Sequence, residues 1–121
     1  MILVDTSIWI DHLHRTEPRL VELLAQDEVG CHDLVIEELA LGSLQKRDEI
    51  LDLLANLNRF PEVQHHEILH LVERKGLWGK GLSVVDIRLL ASAALVGGAR
   101  LWTRGKRLTA ACGDAGVAVF G

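Results

Sequence analysis

The chain lacks any apolar run of bilayer length. Its most hydrophobic later stretch, Leu89 to Val96, falls far short of the roughly 20 residues a membrane helix needs. The opening segment MILVDTSIWIDHL carries an acid at position 5 and no basic flank before its apolar residues, so it does not read as a secretory signal. These features predict a soluble, cytoplasmic protein with no membrane partner. Cysteine is scarce: Cys31 and Cys112 are far apart and match no CxxC or zinc-ribbon spacing, which predicts buried reduced thiols. There are six histidines but no HExxH. His12 with His14, or His65 with His66, would still need a third ligand, so zinc is set aside. A Walker phosphate loop is absent too, because Arg74 stands where its first glycine belongs and Gly81 where its Ser or Thr belongs. Repeats, low-complexity segments and linkers are also missing. With 121 residues, 49% of them hydrophobic, the chain can bury one core and is too short for two ordinary domains, predicting a single domain over 1–121.

What the sequence does have is charge asymmetry. Residues 1–73 hold 5 Lys+Arg against 15 Asp+Glu, net −10, whereas residues 74–121 hold 8 against 2, net +6, together giving the overall −4. Such polarity suits a protein that gathers cations with one part and steers a polyanion with another, or else two solvated surfaces of opposite sign.

Hydrophobic spacing outlines the elements. Ile2 to Asp5 reads as a buried strand. Leu20, Leu23 and Leu24, and later Ile50, Leu53, Leu54 and Leu57, recur at helical spacing. Further helices are predicted over Leu34 to Leu44, Ile68 to Arg74, Val84 to Val96 and from Lys106, with Gly97 and Gly98 as a stop. Strands are predicted at Val29 to Cys31, Glu62 to Gln64, Arg100 to Thr103 and Val117 to Phe120. Strands alternating with helices imply an α/β fold: a central parallel sheet of about four or five strands flanked by helices.

Three carboxylates stand in costly places. Asp5 lies where the first strand gives way to a helix, the sheet edge at which open α/β folds place ligands; it could also simply cap a helix beginning at Ser7 or Ile8. Asp86 aligns with Leu82, Leu89, Leu90 and Ala93 at 100° per residue, inside the stripe expected to face the core, with Arg88 opposite. A carboxylate there needs a cation or several donors. Its other reading is a capping box, Ser83-Val84-Val85-Asp86. Glu38 shares a face with Leu34, Val35, Leu41 and Gly42, whereas Glu37 is rotated toward Asp33. Three such acids make sense together around a hard cation, Mg²⁺ or Mn²⁺.

MILVDTSIWID, VIEELALGSL, LSVVDIRLLASAAL and LWTRGKRL, in this order and spacing, resemble the PIN domain and specifically the VapC toxins of toxin–antitoxin pairs. Nearly the whole chain takes part. The resemblance implies a three-layer PIN-like fold and places Asp5, Glu38 and Asp86 on the family's acidic positions. It departs at Thr103-Arg104-Gly105, where relatives usually read Thr-Arg-Asp or Thr-Arg-Asn; Gly105 thus occupies the fourth acidic position, and Asp114 lies too far along the next helix to substitute.

By this resemblance the activity is metal-dependent ribonuclease chemistry, with Mg²⁺ or Mn²⁺ polarising the phosphate and activating water for in-line attack. The products would be a 3′-hydroxyl and a 5′-phosphate. Asp5 and Asp86 would be the main ligands, Glu38 a further one, direct or through water. Thr103 would hydrogen-bond a carboxylate or a water on the metal. Arg74, Lys75, Lys80, Arg104 and Lys106 are candidates for phosphate contacts. The resemblance also implies a homodimer and a VapB-like antitoxin whose helix or tail lies in an apolar groove near the acids. One alternative is a non-catalytic or impaired PIN-fold RNA-binding module, following from Gly105. Another is a phosphatase with Asp5 as nucleophile, which would need a second Asp where Ser7 stands. The glycines of KGLWGKGLS suggest a mobile loop beside the site. Trp9, Trp78 and Trp102 are read as core anchors rather than base-stacking platforms.

Overall fold

A computed structural model describes residues 1–121. The order is β1 (Ile2–Val4), α1 (Thr6–His14), α2 (Pro18–Ala25), β2 (Val29–Cys31), α3 (Asp33–Leu41), α4 (Arg47–Ala55), β3 (Asn58–Arg59), α5 (His65–Lys75), α6 (Val84–Ala94), β4 (Arg100–Trp102), α7 (Lys106–Ala115) and β5 (Ala118–Val119). All strand pairs are parallel, in the order β3-β2-β1-β4-β5. Helices cover the sheet in a three-layer α/β arrangement. The central β1 is wholly buried because its residues Ile2, Leu3 and Val4 meet core on both faces. No helix is long and apolar enough to cross a membrane.

The strand order positions the site. From β1 the chain first adds β2 and β3 on one side, then crosses back to add β4 and β5 on the other. The carboxyl ends of β1 and β4, in register through Val4 and Trp102, therefore flank the switch point where such sheets open a crevice. Gly30 in β2 leaves room for the ring of Phe60, which follows the adjacent strand β3, since a Cβ there would overlap that ring at 2.2 Å.

Several expectations need correction. The third strand is Asn58–Arg59, not Glu62 to Gln64. Its ladder with β2 extends through the Phe60 amide to the Cys31 carbonyl and ends where β2 gives way to His32, the N-cap of α3. α3 ends at Leu41 rather than Leu44, and α6 at Ala94, two residues short of Val96. The segment Leu34 to Leu41 is less enclosed than its apolar content suggested, for Leu41 is 90% exposed. Trp9 and Trp102 are core residues, each 2% exposed, but Trp78 is not: it stands 64% exposed in a loop that glycines at positive φ turn outward. Cys31 and Cys112 are free and buried, and burial pushes both thiols up to about 11.

Candidate active site

Asp5 is the residue after β1 and the N-cap of α1, which begins at Thr6, a residue earlier than anticipated. The residue is 9% exposed and its carboxylate is bound from three directions. Oδ1 accepts the Thr6 amide at 2.8 Å, while Oδ2 accepts Ser7 Oγ at 2.8 Å and Thr103 Oγ1 at 2.7 Å. Those hydroxyls are themselves oriented. The Arg104 amide donates to Ser7 Oγ at 3.1 Å and the Gly105 amide to Thr103 Oγ1 at 3.0 Å. An amide can only donate, so each hydroxyl proton is left for Asp5. Asp5 therefore does more than cap a helix, and Ser7, absent from the expected site residues, is part of its setting. The Asp-Thr-Ser triplet was the signal for Ser7, visible as a motif without a stated role.

Glu38 reaches the same place from α3. The Thr6 hydroxyl donates to its Oε1 at 2.6 Å, a short charge-assisted bond. Thr6 thus joins two carboxylates, its amide on Asp5 and its hydroxyl on Glu38. The helical-face reading put Glu38 among apolar neighbours; the structure has it on the exposed side of α3, bridged to Thr6.

Asp86 is held differently. Its Oδ2 accepts the Ser83 amide at 3.2 Å while its own amide donates to Ser83 Oγ at 3.0 Å, so the capping box is formed in full. The side chain is half-buried, and no hydrogen bond joins it to Asp5 or Glu38. Arg88 is not on an open face either: it donates to the Val63 carbonyl at 2.9 Å. No three His, Cys, Asp or Glu side chains lie together tightly enough to hold a metal ion.

The donor set nevertheless suits a hard cation. Asp5 forms none of the five ion pairs and is compensated only by neutral donors, which leaves a buried negative charge short of a counter-charge. Mg²⁺ is typically held by one or two carboxylates plus water and substrate phosphate, not by a closed protein cage. Asp5 and Glu38, linked through Thr6, fit that requirement.

The basic candidates divide. Arg104 pairs with Asp11 and Glu17 at 3.0 Å each and lies over the Trp102 ring at 5.9 Å. Its hydrogen bond to Asp11, with a second to Glu17, raises its guanidinium above the ordinary arginine value against the opposing effect of burial. Lys80 pairs with Asp114 at 2.7 Å. Both partnerships are exposed and worth little, so phosphate could displace them. Arg74 lines a separate groove between α5 and α6 with His66 and His70; Lys75 and Lys106 form no ion pair. Next to Glu38, α1 and α3 enclose a groove of about 480 Å³ whose wall includes Ile10, Leu13, Leu39 and Leu44.

The five-stranded parallel sheet with helices on both faces fits a known class of protein, and comparison with known proteins gives the family. The chain belongs to the PIN-domain family, whose model matches residues 2–114. At finer scale it is similar to two proteins named Ribonuclease VapC32, from Mycobacterium tuberculosis strains CDC 1551 / Oshkosh and ATCC 25618 / H37Rv. Each is 67% identical over 119 residues, covering 98% of this chain and 96% of the relative.

Proposed function

We propose that this protein is a VapC-type ribonuclease, the toxin of a toxin–antitoxin pair, hydrolysing RNA phosphodiester bonds at the Asp5 edge with Mg²⁺ or Mn²⁺. The similarity to the two ribonucleases supports the reaction. The observation that carries the metal is Asp5 itself, a buried carboxylate surrounded by donors and without a cationic partner. Asp5 and Glu38 would hold the ion, with Asp86 joining them by releasing the Ser83 amide. When bound, the ion polarises the scissile phosphate and lowers the pKa of water for in-line attack. Thr103 and Ser7 keep Asp5 Oδ2 fixed, and Thr6 keeps Glu38 facing Asp5. Lys75, Lys80, Arg74, Arg104 and Lys106 would contact RNA phosphates, which fixes position without reading sequence.

The same reading covers partners and setting. Residues 1–121 would act as one domain, in the cytoplasm, as a homodimer, as the VapC resemblance implies. The groove beside Glu38 would receive an apolar segment of a VapB-like antitoxin, its exposed Ile10 and Leu13 supplying the apolar wall such a segment needs.

The test is cleavage of a mixed RNA pool by partner-free protein in Mg²⁺ or Mn²⁺, with EDTA and Asp86→Asn as controls. Cleavage that EDTA and Asp86→Asn both abolish is expected. Undiminished cleavage in EDTA would refute the metal, and no cleavage of any RNA under any cation would refute the enzyme.

A further inference from the structure

We propose that Trp78 is a stacking platform for an unpaired base of the RNA substrate, set at a distance from the scissile phosphate; this rests on the ribonuclease reading above. An exposed tryptophan forgoes the burial that its large apolar ring would otherwise contribute, and the loop is built so that it does. Gly76, Gly79 and Gly81 all have positive φ, at 63°, 71° and 72°, conformations that favour glycine. Between them the chain directs Leu77 into the core, 3% exposed, and Trp78 outward.

The loop is not the loose segment its glycine content suggests. The Leu77 amide donates to the Val72 carbonyl at 3.0 Å. Lys80 Nζ meets Asp114 Oδ2 at 2.7 Å. A Cβ at Gly81 would come within 3.0 Å of the Arg107 guanidinium. Two residues of α7 thus pin the loop, and Cζ3 of the indole lies over Gly76, 3.9 Å from where a Cβ would be. A fixed, outward-facing ring suits stacking, because less entropy is lost when a base settles on it.

Charge favours a nucleic acid over another occupant. Lys75, Lys80 and Arg107 surround the ring's loop, and neither Lys75 nor Arg107 enters an ion pair. Aromatic rings interleaved with cations are the recurring means of holding single strands, each base stacking through its face whatever its identity. The loop also leads to the candidate acids by two routes. Forward along the chain it runs into Ser83, the cap that holds Asp86. Through Arg107 it touches the first turn of α7, which begins immediately after Gly105, whose amide orients Thr103 on Asp5.

Trp9 and Trp102 are buried but still emit, so the signal that belongs to Trp78 is the part of the RNA-dependent quench that Trp78→Phe lacks. The experiment titrates the full chain, in EDTA to prevent cleavage, with a mixed-sequence single-stranded oligoribonucleotide of about ten nucleotides, a length within the usual range for such sites. Indole fluorescence is read for the parent and for Trp78→Phe. Anisotropy of dye-labelled RNA gives the affinity of parent, Trp78→Ala and Trp78→Phe. The expected result is quenching by RNA but not by polyphosphate, affinity about 5- to 150-fold weaker in Trp78→Ala, and partial retention in Trp78→Phe. Equal affinity of Trp78→Ala and parent would overturn the platform, as would equal quenching by polyphosphate. A change of mass in light scattering in Trp78→Ala, with RNA affinity intact, would reassign Trp78 to a protein interface. A parent that cleaves RNA in Mg²⁺ while Trp78→Ala binds normally defeats only this inference; a parent that neither binds nor cleaves RNA defeats the ribonuclease reading as well.

Discussion

Asp5 and Asp86 both stand at the start of a helix, and the fold holds them in opposite ways. Asp5 is fastened by Thr6 and Ser7 beside it and, across 98 residues of sequence, by Thr103. Asp86 is fastened only to Ser83, three residues away, in a box that any isolated helix could form. The first arrangement depends on β1 and β4 being neighbours; the second does not depend on the fold at all. An acid fixed by tertiary contacts is preorganised, whereas an acid held by a local cap can turn toward a ligand at the cost of about one capping interaction, on the order of 1 kcal/mol. The contrast suggests a site with one rigid and one adjustable carboxylate.

Asparagine at the two positions tests that contrast most severely. At position 5 the amide has one oxygen, but three fixed donors converge on the two carboxylate oxygens, so at least one donor must face the NH₂ group. Asp5→Asn should lose about 1–3 kcal/mol of stability and reduce RNA cleavage by more than the roughly 100-fold typical of losing an outer-shell partner. Asp86→Asn should reduce cleavage comparably. Yet its remaining oxygen can still accept the Ser83 amide, so its unfolding free energy in urea should stay within about 0.5 kcal/mol of the parent. Equal destabilisation by the two variants would erase the distinction drawn here.

The same contrast explains what the sequence could reveal. Parallel strands, helices and their order were legible because buried strands such as Ile2–Val4 are continuously apolar and the helices recur at helical spacing. The exception at Asn58–Arg59 has an ordinary cause: both residues of that strand are exposed, so no hydrophobic pattern marks them, while β2 alone sets their pairing. Asp86's capping box was visible because it is local. Thr6 bridging Asp5 to Glu38, and Ser7 receiving the Arg104 amide, were not visible, because each joins segments far apart in sequence. Trp78 was misread for a related reason. Composition says that tryptophan is usually buried, and only the backbone path through three glycines shows which side of the loop faces out.

Two smaller changes sharpen the account of Asp5. Thr103→Val keeps the shape of the side chain but removes the proton given to Oδ2 and leaves the Gly105 amide without its acceptor. A loss of about 1 kcal/mol in stability and about 10- to 100-fold in cleavage is expected, measured by urea unfolding and by rates on one RNA. Unchanged cleavage would remove Thr103 from the site. Gly105→Asp tests the departure from the family pattern. Gly105 is the N-cap of α7, with φ −71° and no side-chain cap, and a Cβ there finds ordinary contact with Thr103 Oγ1 at 3.4 Å. The new carboxylate should stabilise the helix start by a few tenths of a kcal/mol and lower the Mn²⁺ concentration needed for half-maximal cleavage. A rise in that concentration would show that position 105 does not face the ion.

A last effect, on stability alone, concerns a fourth helix start, that of α3, which carries Glu38. Its cap is His32, 2% exposed, whose Nδ1 accepts the Leu34 amide at 3.0 Å and must therefore be unprotonated. Burial lowers its pKa below the ordinary 6.5, against the opposing charges of Glu62 and Glu37. The unfolded chain then binds a proton more readily than the folded one, so stability rises with pH through this window. Its contribution is complete above 6.5 and is lost as pH falls from 6.5 toward the depressed folded value, at no more than about 1.4 kcal/mol per pH unit. Urea midpoints of parent and His32→Asn, compared between pH 7.5 and 5, isolate it, since asparagine can cap without titrating in this range. The parent should lose more stability than the variant over that interval; parallel curves would mean that folding does not shift the His32 pKa, and that the start of α3 is indifferent to pH.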